Sequence, residues 1–155
     1  MPRVSNIELL KQNEQPTLVI RVRTKVENLP CLIAESYGKL CAYMEELGEI
    51  VSDLPFVAYH NMDMQDLDVE IGFPVANPLP GKGDIKPGTI PEGTRIFCMY
   101  RGPYEEMAPI YEEMQKWMYE NGYASAGPVY ENYYNGTDFP AHELLTRIVM
   151  MVRKA

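Results

Sequence analysis

Two alternations of apolar and polar positions, one of period two and one of period three to four, follow each other twice along the chain. In residues 17–26, Leu18, Ile20 and Val22 alternate with Val19, Arg21 and Arg23. That predicts a strand with one apolar face and one partly basic face. Residues 7–12 read as a preceding strand, across a turn at Gln15-Pro16. Ile33, Tyr37, Leu40, Met44 and Leu47 recur at spacings of three and four, which predicts an amphipathic helix. Pro30 suits its first turn and Gly48 its C-cap. Residues 55–62 and 67–75 read as strands joined by the acidic turn Asp63-Met64-Gln65-Asp66. From 76 to 93 the chain is rich in Pro and Gly, a connector with a short strand around Ile85.

The second half runs through the same order. Residues 94–101 are a strand, and Gly102-Pro103-Tyr104-Glu105-Glu106 leads into a helix. Its face is Met107, Tyr111, Met114 and Met118, with Trp117 alongside, and Asn121-Gly122 ends it. Strands at 128–134 and 145–152 close the pattern. Laid over the first half, Thr17 falls on Thr94, Gly48 on Gly122, Pro55 on Pro128 and Val75 on Val152. The expected fold is α+β: a tandem duplication of a β-α-β-β unit, eight strands in total. Two antiparallel sheets with one main helix each would be related by a pseudo-twofold axis. Residues 1–155 then form one domain, with repeat one at about 4–75, a connector at 76–93 and repeat two at about 94–153.

Composition narrows the function. Hydrophobic residues make up 46% and charged residues 23%, the balance of a soluble globular protein. The formal net charge of -8, with no Lys/Arg cluster, would repel a phosphate backbone, so direct nucleic-acid binding is not expected. A cationic ligand or a basic protein partner suits that field better. No apolar run is long enough for a membrane span or marks a signal peptide, which places the chain in the cytoplasm. Cys31, Cys41 and Cys98 form no CxxC pair and read as reduced thiols. His60 and His142 lack the spacing of a metal site, and no cofactor motif is present.

The chemistry concentrates in Gly127-Pro128-Val129-Tyr130-Glu131-Asn132-Tyr133-Tyr134-Asn135. On a strand Val129, Glu131 and Tyr133 share one face, while Tyr130, Asn132 and Tyr134 share the other. Facing inward, Glu131 is an acid on an apolar, aromatic wall, a costly arrangement that calls for a use. Facing outward, it is a solvated glutamate or a partner for Arg147. In the overlay Glu131 falls on Ala58, and Glu70 falls on Arg147. Glu70 points opposite Val69, Ile71 and Phe73, towards solvent or a cleft wall. A junction between two such repeats is where ligands favour binding, and its candidate lining is aromatic: Tyr37, Tyr43, Tyr59, Tyr100, Tyr111, Trp117 and Tyr133. For any one of these, core packing is the alternative.

Five motifs in order carry a family resemblance. They are Glu70-Ile71-Gly72-Phe73-Pro74-Val75, Arg101-Gly102-Pro103-Tyr104-Glu105, Asn121-Gly122-Tyr123, the strand from Gly127 to Tyr133, and Thr146-Arg147-Ile148. With them the chain resembles the GyrI-like, AraC-type effector-binding domain of multidrug-responsive regulators. The resemblance implies a ligand cleft between the repeats, with Glu131 at its base and Phe73 among the aromatic walls. It implies a hydrophobic ligand, cationic or planar aromatic, since a desolvated carboxylate and aromatic faces both attract a cation. Regulators join this domain to a helix-turn-helix; the expectation here is a stand-alone copy without one. An alternative implied by the family is a hydrolase that opens cyclopropane-type electrophiles. Glu131 would then activate water, and Tyr133 or Glu70 would donate a proton. A further alternative is a protein partner, either a regulator or DNA gyrase, inhibited by contact.

Overall fold

The computed structural model describes residues 3–136 and 138–155. Among them are two α-helices and eight β-strands, an α+β fold, gathered into two compact units. One unit spans residues 13–92; the other joins residues 1–12 to 93–155.

The first unit contains β2 (Gln15–Thr24), α1 (Leu29–Leu47), β3 (Phe56–Tyr59), β4 (Leu67–Pro74) and β5 (Lys86–Ile90). Its strands are ordered β3, β4, β2, β5, all neighbours antiparallel. Pro30 opens α1, where a missing N–H costs nothing, and Gly48 closes it at φ 69°, a conformation glycine adopts without strain. Of the face of α1 that the spacing predicts, Leu40 and Met44 are buried on Leu18, Ile20, Phe73 and Val75, with Tyr37 and Leu47 packed beside them, and Tyr43 joins them from outside that prediction. The strand expected around Ile85 begins at Lys86, while Ile85 itself bridges back to Lys82. Proline is tolerated in β5 because its one partner here is β2. The basic residues of β2 are met by acids across the outward face. Arg21 donates to Asp68 at 2.9 and 3.0 Å, and Arg23 donates to Asp66. Those bonds hold both carboxyls below the usual aspartate range.

The second unit contains β1 (Glu8–Gln12), β6 (Gly93–Arg101), α2 (Ala108–Glu120), β7 (Tyr123–Tyr133) and β8 (Leu145–Lys154). Its order is β1, β6, β8, β7, again antiparallel throughout. Ile110, Met114 and Met118 of α2 pack on Ile96, Cys98, Tyr100, Ile148, Met150 and Val152. Here β1 departs from the sequence reading. It lies beside β6, with Glu8 opposite Phe97, and not in the unit of its neighbour β2. Each unit thus has the same plan, a β-α-β-β core with an added strand beside its first. That strand follows the core in one unit and precedes it in the other.

Comparing pairings within each unit corrects the residue equivalences. With Val75 on Val152, Ile71 coincides with Ile148. The partner of Ile71 is Val57, and the partner of Ile148 is Glu131. Glu131 therefore coincides with Val57 and not with Ala58, and Tyr133 coincides with Tyr59. Thr17 likewise moves from Thr94 to Arg95, by their partners Pro74 and Met151. Glu70 stays on Arg147. The one-residue error arises because Pro128 does not mark a strand start: β7 begins at Tyr123 and shifts register between Ser125 and Val129.

Burial separates the three thiols. Cys98 is 0% exposed and its pKa is pushed by desolvation to about 11, whereas Cys31 and Cys41 are exposed. A raised pKa keeps the Cys98 thiol protonated at pH 8. Two thiols are expected to react promptly with a chromogenic disulfide reagent in the native protein, and the third only in denaturant. Prompt reaction of all three would contradict this packing.

Candidate ligand-binding site

Alternation along β7 places Val129, Glu131 and Tyr133 on one side, opposite Met150, Ile148 and Thr146 of β8. Ile148 and Met150 belong to the core under α2, so Glu131 faces α2. Its exposure is 7%, on a wall otherwise made of Ile148, Met114 and tyrosine rings. Arg147 lies opposite Asn132, on the other side of the sheet, and donates to Asn132 Oδ1 at 3.3 Å. The outward-facing reading of Glu131 does not hold.

Phenols meet the buried acid. Tyr111, one turn into α2, donates to Oε2, and Tyr133 donates to Oε1 at 2.9 Å. Each carboxylate oxygen thus accepts from one phenol. A third ring, 38% exposed, flanks the group. Tyr104 stands edge-on to Tyr133, with centroids 5.6 Å apart and planes at 72°. Burial, and then the Glu131 charge, push the Tyr104 phenol above its ordinary pKa. Tyr104 occupies the 3-10 turn Tyr104–Glu106 before α2, and the backbone before it is shaped by Gly102. That glycine has φ 144°, and a Cβ there would stand 2.8 Å from the Tyr100 hydroxyl. Tyr100 in turn donates to Pro103 O at 2.5 Å. Core, turn and site are tied at this point.

The expected site residues therefore separate. Glu131, Tyr133 and Tyr111 form one cluster. Tyr100 is a core residue, 1% exposed, that anchors the turn carrying Tyr104. Trp117 is half-buried and stacked on Tyr123 at 5.9 Å. In the other unit Tyr37 stacks on Phe73 at 5.2 Å and donates to Phe56 O. Tyr43 is buried and donates to Pro80 O at 2.8 Å, and Tyr59 is half-buried at the end of β3. Glu70, opposite Ala58 and Arg21, is engaged by His60 Nε2 at 2.5 Å. Tyr104 was missed as a site residue. Its signal was present in the Gly102-Pro103-Tyr104 turn, which delivers a ring next to a helix start. Among the described residues no three His, Cys, Asp or Glu side chains gather as a metal site. No helix is long and apolar enough to cross a membrane.

Fold and site together have the form of a small-molecule-binding domain: an α+β scaffold with an aromatic-walled acid. The profile of the GyrI-like small molecule binding domain matches residues 5–153, and the chain belongs to that family. Among solved structures it is similar to the EcmrR C-terminal domain, with TM-score 0.80 and 22% identity, covering 98% of this chain and 99% of that one. EcmrR in its complex with DNA gives TM-score 0.85 at 21% identity, over 98% of this chain; the match spans 59% of that protein's chain. A hydrolase from Listeria innocua gives 0.72 at 15%, covering 99% and 94%. SAV2435 bound to tetraphenylphosphonium gives 0.67 at 13%, covering 96% and 94%. No curated protein matches the chain by sequence. At such identities the structures establish the shared fold.

Two substitutions probe the cluster. Tyr111→Phe removes one donor from a buried carboxylate and is expected to cost about 1–3 kcal/mol in denaturant unfolding; an unchanged midpoint would contradict the bond. In spectra of the protein labelled with 13C at tyrosine Cζ, Tyr104 is expected to titrate above the ordinary phenol range. Glu131→Gln should bring its midpoint down, because the nearby negative charge is gone. No movement would exclude the charge contribution.

Proposed function

We propose that this domain binds hydrophobic cations with aromatic surfaces at the Glu131 cluster. The observation that carries the reading is a 7%-exposed carboxylate on an apolar wall, ringed by Tyr104, Tyr111 and Tyr133. A carboxylate in low dielectric attracts a cation far more strongly than one in water. Phenol faces add cation–π attraction of about 0.5–2 kcal/mol each. A neutral ligand of the same shape would gain only the apolar contact. The net charge of -8 adds a long-range field of the right sign. The family's small-molecule role and the cation held by SAV2435 support the same chemistry.

A second reading rests on the pairing of Glu131 with Tyr133 and on the fold shared with a hydrolase. In it Glu131 takes a proton from water as the water oxygen bonds to a strained-ring carbon. The ring bond breaks, and a phenol such as Tyr133 gives a proton to the leaving atom. The two readings differ in turnover: a binder captures such an electrophile without releasing a hydrolysed product.

Calorimetry with tetraphenylphosphonium and with neutral triphenylphosphine oxide tests the first reading. The wild type is expected to favour the cation, and Glu131→Gln to weaken the cation by at least about tenfold, or 1.4 kcal/mol, while leaving the neutral compound unchanged. Equal affinities for both compounds in both proteins would overturn it.

A further inference from the structure

Among the described residues Thr146 carries a side-chain hydroxyl that is fully buried and has no hydrogen-bond partner. Its position relates it to the acid. On β8 it lies opposite Tyr133 on one side and opposite Tyr100 on the other, facing α2 as Ile148 and Met150 do. Directly paired residues have Cβ atoms about 5 Å apart, and the diagonal neighbour on the same face, here Glu131, is within reach of one ligand. Tyr133 turns its hydroxyl away to Glu131, and Tyr100 gives its hydroxyl to Pro103 O, so neither donates to Thr146.

The other unit shows that the scaffold does not need this oxygen. By the pairings above, Thr146 coincides with Val69, Glu131 with Val57 and Tyr100 with Val22. Val69 and Val57 are each 0% exposed. Valine and threonine have almost the same shape, so the buried position is filled equally well without a hydroxyl. A buried hydroxyl left unmatched is destabilising. Two polar groups, an acid and a hydroxyl, thus stand on one face where the matching unit has two valines.

We propose that Thr146 is a specificity-determining residue of the Glu131 site, selecting cations that carry a hydrogen-bonding group beside their aromatic plane. The inference rests on the reading of Glu131 as a cation site. Glu131 supplies the charge and the Thr146 hydroxyl supplies the polar contact, accepting from an amino group or donating to an oxygen of the ligand.

Two probes separate the roles. Tetraphenylphosphonium has charge and aromatic surface but no hydrogen-bonding group; ethidium is a planar aromatic cation with two amino groups. Thr146→Val is expected to weaken ethidium about 5- to 10-fold, the loss of one hydrogen bond. Tetraphenylphosphonium should remain within about twofold by the same arithmetic. Thr146→Ser, which keeps the hydroxyl, should retain ethidium binding. Unliganded Thr146→Val should be as stable as the wild type or more so. A destabilised Thr146→Val would reveal an internal partner and overturn the proposal, as would equal losses for the two cations. If neither cation binds the wild type, or Glu131→Gln binds both unchanged, the reading of Glu131 fails and this inference falls with it.

Discussion

A carboxylate on the helix-facing side of a sheet has to be met by donors or it destabilises the fold. Much of the local structure around α2 follows from meeting that need at Glu131. Tyr111 projects from the first turns of α2, Tyr133 folds back along its own strand, and Tyr104 rides a 3-10 turn held by Tyr100 and Gly102. Tyr111 and Tyr133 each do two things at once, since the hydroxyl gives a polar contact and the ring supplies apolar wall. The result is a carboxylate only 7% exposed and bonded through both of its oxygens.

The two units make this legible as a departure from a common plan. Both have an amphipathic helix on the same arrangement of antiparallel strands, and both close that helix near a glycine with positive φ. Where one unit puts valine, the other puts glutamate and threonine. Packing alone is satisfied by valine, so the polar pair cannot be credited to packing. The acid of the first unit, Glu70, is of another kind: it sits on the opposite side of its strand from the core and is engaged by His60. One plan therefore carries two carboxylates with different tasks, one at the surface of a strand pair and one under a helix.

Periodicity read the helices and the strand faces well, because a helix stripe and an alternating strand are local signals. Alternation put Val129, Glu131 and Tyr133 on one side but left open which way that side faces; Ile148 and Met150 across from it decide the matter. Register was harder. Pro55 and Pro128 look equivalent in sequence, but Pro128 sits inside a register shift of a longer strand, and the comparison slipped by one residue. In a sheet one residue is the difference between the two faces, so Glu131 was matched to a buried alanine on the side away from the helix instead of a valine on the helix side. The partner of β1 was not legible either, because 89 positions separate Glu8 from Phe97 and nothing local encodes that pairing. Tyr100 and Tyr104 exchanged expected roles for a related reason. A strand tyrosine and a turn tyrosine look alike in sequence, and only the backbone path through Gly102 decides which one stands beside Tyr133.

The pairing of β1 with β6 also bears on the order in which the protein takes shape during synthesis. Residues 13–92 contain every strand of their unit in one continuous segment, which can assemble as soon as it has emerged. The other unit cannot. Its β1 precedes residues 13–92 in the chain and must wait for β6 and then β8, which are made after them. Closing so long a loop is slow by comparison with local pairing. The unit that bears Glu131 is thus completed only after the segment it encloses in sequence has been made.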